Sequence, residues 1–229
     1  MSLKVDLFIG LALSLAAPYA GAWLTTPPMD PLFVMNDTQF SLAVRGRLGL
    51  PPSDDILHCS CGASLTESPL HFHSCRSLGA SRIRRHNRVV NLITSVARLC
   101  SIASYTEPRI DDRDRSRGDG QLFFHSHTAI FDVCIVNPCT PTMVKAAQRP
   151  LGAAVAKEKL KNDTYLARCR EQGHLFFPTV MESVGALGVY CRDLVAKIEE
   201  EGALNGVKTI HGFKVRSFLL RAFFQFAIW

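Results

Sequence analysis

The sequence predicts an α/β fold in which a mixed sheet is flanked by helices, and three observations carry that expectation. Val89, Ile93, Val96 and Cys100 recur at helical spacing. Ile130-Phe131-Asp132-Val133-Cys134-Ile135-Val136 is an apolar run of strand length. A lysine-rich helical segment then separates it from a second apolar run, His174 to Met181. The order helix, strands, helix, strand implies helices packed in layers against a sheet.

Taken from the start, Leu7 to Ala17 is apolar and Tyr19-Ala20-Gly21-Ala22 has the form of a cleavage site, so the first twenty residues could pass as a signal peptide. The run is too short and interrupted for a membrane span. The favoured reading is a buried helix in an intracellular protein. Residues 23–52 are punctuated by prolines around a helical segment, which Asn36-Asp37-Thr38 can cap. Residues 53–78 are loop-like, and 81–103 form a long amphipathic helix. A strand over 104–110, a charged loop over 111–120 and strands near 121–125 and 129–137 follow. Pro138, Pro141 and Pro150 lead into a helix over 153–171 that stops at Gly173. The buried strand 174–181 precedes helices over 184–202 and 213–228. This divides the chain into a helical segment (1–52), a metal loop (53–80), a core (81–190) and a helical tail (191–229).

With 229 residues there is room for one compact domain and appendages. The net charge of +6 favours an anionic partner. Eight cysteines are too sparse for a disulfide scaffold, and most lie in apolar runs that suit reduced thiols.

Cys59-Ser60-Cys61-Gly62 and His71-Phe72-His73-Ser74-Cys75 concentrate thiols and imidazoles in one short loop. These are the ligands of tetrahedral Zn2+. We take Cys59, Cys61, His71 and Cys75 as the ligand set, with His73 or His58 as substitutes, and Gly62 as the residue that lets the chain turn around the metal. Four protein ligands leave no open position for catalysis.

Asp132 is an acid inside a buried strand, which is costly unless paired or bound to a cation. Asp119 lies just before the preceding strand, where hairpin pairing could bring it beside Asp132. Two adjacent carboxylates repel, and Mg2+ between them removes that cost. On the following helix Lys157, Lys161 and Tyr165 form one stripe at i, i+4 and i+8. Glu107 is a candidate third acid at a strand end. Glu182 is placed similarly and reads as structural.

Arg82, Arg84, Arg85, His86 and Arg88 crowd the start of the 81–103 helix. Cations there oppose the helix dipole unless a phosphate is bound. With Arg117 and Lys157 they form the expected DNA-binding set; the alternative is a solvated basic face.

Cys59-x-Cys61, His71-x3-Cys75, Arg85-His86-Asn87, Arg117-Gly118-Asp119, Asp132 and Lys161-x3-Tyr165 occur in one order that resembles the C-terminal region of non-LTR retrotransposon polyproteins carrying a restriction-enzyme-like endonuclease. Gly21-Ala22-Trp23-Leu24 and Leu42-x-Val44-Arg45-x-Arg47-Leu48-Gly49 resemble the segment after the reverse transcriptase in such polyproteins. The resemblance spans roughly residues 20–225. It implies a PD-(D/E)xK core, with a zinc knuckle, that nicks target DNA so that the freed 3′ end primes reverse transcription. Asp119 matches the aspartate of the Pro-Asp motif, with Gly118 where proline is usual. Asp132 matches the second acid. Cys134 stands where the standard motif has lysine, and Lys161 matches the lysine that this branch moves to the next helix, with Tyr165 after it.

On this resemblance the expected cofactors are Mg2+ and Zn2+ and the expected site of action is the nucleus. The expected partners are DNA, retrotransposon RNA and a reverse transcriptase domain. Nothing in the chain resembles the Tyr-x-Asp-Asp polymerase site, so the chain reads as a fragment or decayed copy. The rival readings are a nucleic-acid-binding remnant that no longer cuts, and a secreted protein.

Overall fold

The computed structural model describes residues 3–25, 31, 34–68, 70–111 and 115–228. Part of the proline-punctuated segment (26–30) and of the charged loop (112–114) lie outside the described residues. So does the last residue, Trp229.

Helix α1 (Leu3–Leu15) and helix α2 (Asp37–Arg47) precede the metal loop. Asn36 caps α2 with a reciprocal pair, its Oδ1 accepting from Gln39 N and its own N–H donating to Gln39 Oε1. Helix α3 (Gly79–Leu99) leads into strands β1 (Ala103–Thr106), β2 (Gly120–Phe123) and β3 (Thr128–Val136). Helix α4 (Gly152–Glu171) then crosses over to β4 (His174–Glu182). Helix α5 (Val189–Leu204), the short strands β5 (Thr209–Ile210) and β6 (Phe213–Lys214), and α6 (Val215–Ile228) complete the order.

The main sheet runs β1-β2-β3-β4, antiparallel until the last pair. β3 and β4 are parallel because a helical crossover joins them. Pro178 lies on β4, the outer strand, where a missing N–H costs no ladder bond.

Alternation along β3 divides the core. Ala129, Phe131 and Val133 pack with α3, α5 and α6 through Val89, Ile93, Leu194, Ile198, Leu219 and Phe223. Ile130 and Val136 face the other way, against α4. Each such side chain contributes about 1.5–3 kcal/mol by leaving water. The sheet is therefore covered on both sides, with α4 on one of them, and Asp132 falls on the α4 side by its place in the alternation.

Several expected boundaries move. β1 stops at Thr106 because Glu107 adopts φ +51 and Pro108 follows. α5 begins at Val189 rather than 184, since Glu182 N bonds Ala186 O at 2.8 Å in a turn with Gly185 at φ +100. The β5–β6 hairpin takes the first residues of the expected last helix. The N-terminal apolar run is a helix whose Leu11 packs with Leu70 of the metal loop, Cys139 and Val184. Among the described residues no helix is long and apolar enough to cross a membrane.

Candidate active site and metal-binding loop

The metal-binding loop brings the four expected ligands together. The Sγ atoms of Cys59, Cys61 and Cys75 and a ring nitrogen of His71 all lie within 4.8 Å of one another. Cys59 and Cys75 Sγ are 3.5 Å apart, and Cys61 Sγ is 3.1 Å from His71 Nε2. A tetrahedron with Zn–S bonds of about 2.3 Å has S···S edges of about 3.8 Å, so this Cys3His group fits Zn2+. Gly62, at φ +87, turns the chain after the first two thiols, and its N–H donates to Cys59 O at 2.8 Å. The Ser77 hydroxyl beside Cys75 lowers that thiol to about 6, poising it as a thiolate ligand.

The substitutes stand elsewhere. His58 is exposed and bridges Ser64. His73 is buried; its Nδ1 lies 2.6 Å from Arg85 Nη1, and its carbonyl accepts from Arg85 Nη2 at 2.8 Å. Burial, with the Arg85 charge, holds His73 well below the usual histidine range, so it is a neutral acceptor.

That contact sets Arg85 apart from the rest of the basic run. Arg85 is only 7 % exposed and reaches the hollow between Arg82 and the Val133–Ile135 stretch from a buried position. It lies on the same buried stripe as Val89 and Ile93 and ties α3 to the metal loop. Arg82, Arg84 and Arg88 of the basic run are exposed, with Arg84 Nη2 bonded to Ser81 Oγ at 3.2 Å. Arg117 Nη1 lies 3.2 Å from Glu107 Oε2.

The two acids converge. Asp119 N donates to Phe131 O at 3.0 Å, pinning the start of β2 to β3 beside Asp132. Its Oδ2 accepts from Val133 N at 2.6 Å and lies 3.0 Å from His86 Nε2. Each carboxyl group acts on the ionisation of the other. On the far side Lys161 Nζ, from α4, pairs with Asp132 Oδ2. The arrangement thus runs from α3 through both acids to α4: His86, Asp119, Asp132, Lys161.

Electrostatics separates the two carboxylates. Burial raises Asp132 to about 6, opposed by Lys161 and reinforced by Asp119. Burial also raises Asp119, but the hydrogen bond and charge of His86, with Val133 N–H, hold it below the ordinary value. His86 is raised in turn, chiefly by Asp119. Two neighbouring half-buried carboxylates thus differ, with Asp119 ionising more readily than Asp132.

The remaining expected residues divide. Lys157 is half-buried and its charge acts on Cys134, on the same sheet face as Asp132. Tyr165 packs edge-on against Phe176 at 5.7 Å. Glu107, the expected third acid, stands on the rim of the hollow that Asp119 lines, with its side chain 74 % exposed and paired with Arg117. Glu182 is structural, buried and accepting from Ala154 N at 3.1 Å at the start of α4 and from Ser14 Oγ. Gly118 has a steric reason. Ile130 Cγ2 stands 2.4 Å from where a Cβ would sit, so the proline of the resembled motif does not fit.

Sequence reasoning missed Asn137, whose Nδ2 donates to Leu70 O at 2.8 Å and to Ser74 Oγ at 3.3 Å. It moors the end of β3 to the metal loop, and an asparagine beside Pro138 reads as a turn residue. Two hollows flank His86. One, of about 460 Å³, lies between Arg82, Ile83 and the Val133–Ile135 stretch. The other, of about 240 Å³, lies between α3, the end of β1 and Asp119.

No protein-family model matches the chain. Over 180 residues, 75% of its length, the chain is 23% identical to the retrotransposable element SLACS 132 kDa protein of Trypanosoma brucei gambiense. It spans 15% of that relative's length. The similarity supports a retrotransposon-related origin.

Proposed function

We propose that this chain is the Mg2+-dependent DNA endonuclease module of a retrotransposon, nicking one strand of target DNA so that the new 3′ end can prime reverse transcription. The observation that carries the reading is the convergence of Asp119 and Asp132 with Lys161 reaching in from the crossover helix. The relationship to a retrotransposable element protein supports the same direction. A nuclear site of action, on chromosomal DNA, follows from it.

Asp119 and Asp132 would hold the ion. Bound Mg2+ supplies Lewis-acid polarisation of the phosphate and a more acidic water. Val133 N–H and His86 keep Asp119 ionised and oriented. Lys161 neutralises charge beside Asp132 and is placed to counter charge that develops on the phosphate. The Zn2+ loop, fixed to α3 by Arg85 and to β3 by Asn137, would buttress the segments that bear His86 and Asp132 and, with Arg82 and Arg88, extend the surface offered to the DNA backbone.

The test is nicking of supercoiled plasmid by the zinc-loaded protein with Mg2+. We expect wild type to convert plasmid to open circles and Asp132→Ala and Lys161→Ala to lose at least about a hundredfold in rate. Equal nicking by wild type and Asp132→Ala would assign the activity to a contaminant. DNA binding without nicking by any form would select a non-catalytic remnant.

A further inference from the structure

We propose that the hollow on the α3 side of Asp119 is a pocket for one unstacked nucleobase, next to the phosphate that is cut, and that it favours a base bearing an exocyclic amine. The inference deepens the nuclease reading and rests on it. The hollow measures about 240 Å³ and is lined by His86, Asn87, Asn91, Thr106, Glu107 and Asp119, over Val90. Val90 is 8 % exposed and supplies an apolar floor against which a flat ring can lie.

The lining excludes phosphate as the occupant. It holds two carboxyl groups, and its one basic side chain, His86, is already committed to Asp119 at 3.0 Å. Asn87 and Asn91 lie at i and i+4 on α3 and so share one face of that helix. Asn87 Oδ1 already meets His86 Nδ1 at 3.2 Å and Glu107 Oε2 meets Arg117 Nη1 at 3.2 Å, so the Asn91 carboxamide, the Thr106 hydroxyl and the second Glu107 oxygen are left to bond a base, and a carboxylate favours an amine over a carbonyl beside it. An asparagine can bond adenine through two groups, and a carboxylate accepts from the amine of cytosine. Thymine has no such amine. The neighbouring hollow of about 460 Å³, with Arg82 at its edge, has the opposite character and suits backbone phosphate.

Backbone strain at the rim points the same way. Glu107 is a non-glycine residue held at φ +51, and its N–H donates to Asp119 O at 3.2 Å. A left-handed residue of this kind costs about 1–3 kcal/mol and is retained mostly at ligand sites. Because Asp119 forms a wall of both the pocket and the acid pair, a base seated there flanks the scissile position. It reaches the pocket only by leaving the stack, which favours single-stranded, mismatched or distorted DNA.

The experiment uses the full zinc-loaded chain carrying Asp132→Ala, so that nothing is cut, and fluorescence anisotropy with labelled dA, dC and dT homo-oligonucleotides of equal length. We expect dA and dC to bind about fivefold to a hundredfold tighter than dT. Asn91→Leu, at an exposed position, should erase that difference by weakening dA and dC, and Thr106→Val should reduce it. Equal affinities for the three, or a preference that survives Asn91→Leu, overturn the pocket. Plasmid nicking by the Asp132 form runs in parallel. Nicking with no base preference sinks the pocket alone, whereas base preference with no nicking sustains the pocket and sinks the nuclease reading.

Discussion

His86 Nε2 lies 3.0 Å from Asp119 Oδ2, and Arg85, the residue before it, holds His73 of the metal loop. One turn of α3 therefore connects the thiol cluster to the acid pair. The sign of the pH dependence follows from the two shifts. His86 is raised, so its contribution is complete below the ordinary histidine value and fades as pH rises through the raised one. Asp119 is lowered, so its contribution is complete above the ordinary carboxylate value and fades as pH falls through the lowered one. The pair stabilises most between those limits. We expect His86→Ala to cost about 1.5–3 kcal/mol at pH 5 and much less at pH 9, read by urea unfolding at each pH.

Arg85 and the thiols give a second expectation. Arg85→Ala leaves the ring nitrogen of a fully buried histidine without its donor, which costs about 1–3 kcal/mol. Cys75→Ser should remove the metal itself. We expect one Zn2+ per chain in wild type and close to none in Cys75→Ser, by elemental analysis, with the loop protected from protease only in the loaded form.

A third expectation concerns two raised acids. Glu158, on α4, accepts from Tyr190 N at 3.1 Å and so caps α5, whose own N-cap is Gly188. Burial raises it to about 7. A carboxyl raised in the folded state stabilises fully below its unfolded value, and that contribution is lost as pH climbs through the folded one. Stability without divalent metal should therefore fall between pH 4 and pH 7, with the Asp132 contribution gone by about 6 and the Glu158 contribution by about 7. Glu158→Gln keeps the acceptor and removes the charge. We expect it to gain about 1–3 kcal/mol at pH 8 and nothing at pH 4, by thermal unfolding in matched buffers.

What was legible in the sequence is what local patterning encodes. An acid inside a continuous apolar run of strand length placed Asp132 on a buried strand, and the i, i+4 stripe placed Lys161 and Tyr165 on one helix face. Ligand spacing identified the Cys3His loop. The contact of His86 with Asp119 spans 33 positions and depends on how α3 lies across the sheet, which no local pattern records. Arg85 did carry a signal: it falls one helical turn before Val89, on the apolar stripe, and charge count obscured that phase. The late start of α5 turns on Gly185 at φ +100, in a stretch whose apolar content reads equally as helix.

Gly118 offers the sharpest test of how this chain departs from the motif it resembles. Two separate obstacles stand against proline there. Ile130 Cγ2 lies 2.4 Å from the Cβ position, and Gly118 N–H donates to Pro108 O at 3.0 Å, a bond that proline cannot make. We expect Gly118→Pro to lose about 3 kcal/mol or more in urea unfolding. Ile130→Ala removes the steric obstacle but not the missing donor, so the double variant should recover part of the loss beyond additivity and not all of it. If Gly118→Pro proves neutral, the junction between the Pro108 loop and β3 is looser than these contacts require, and the hold on Asp119 one residue later loosens with it.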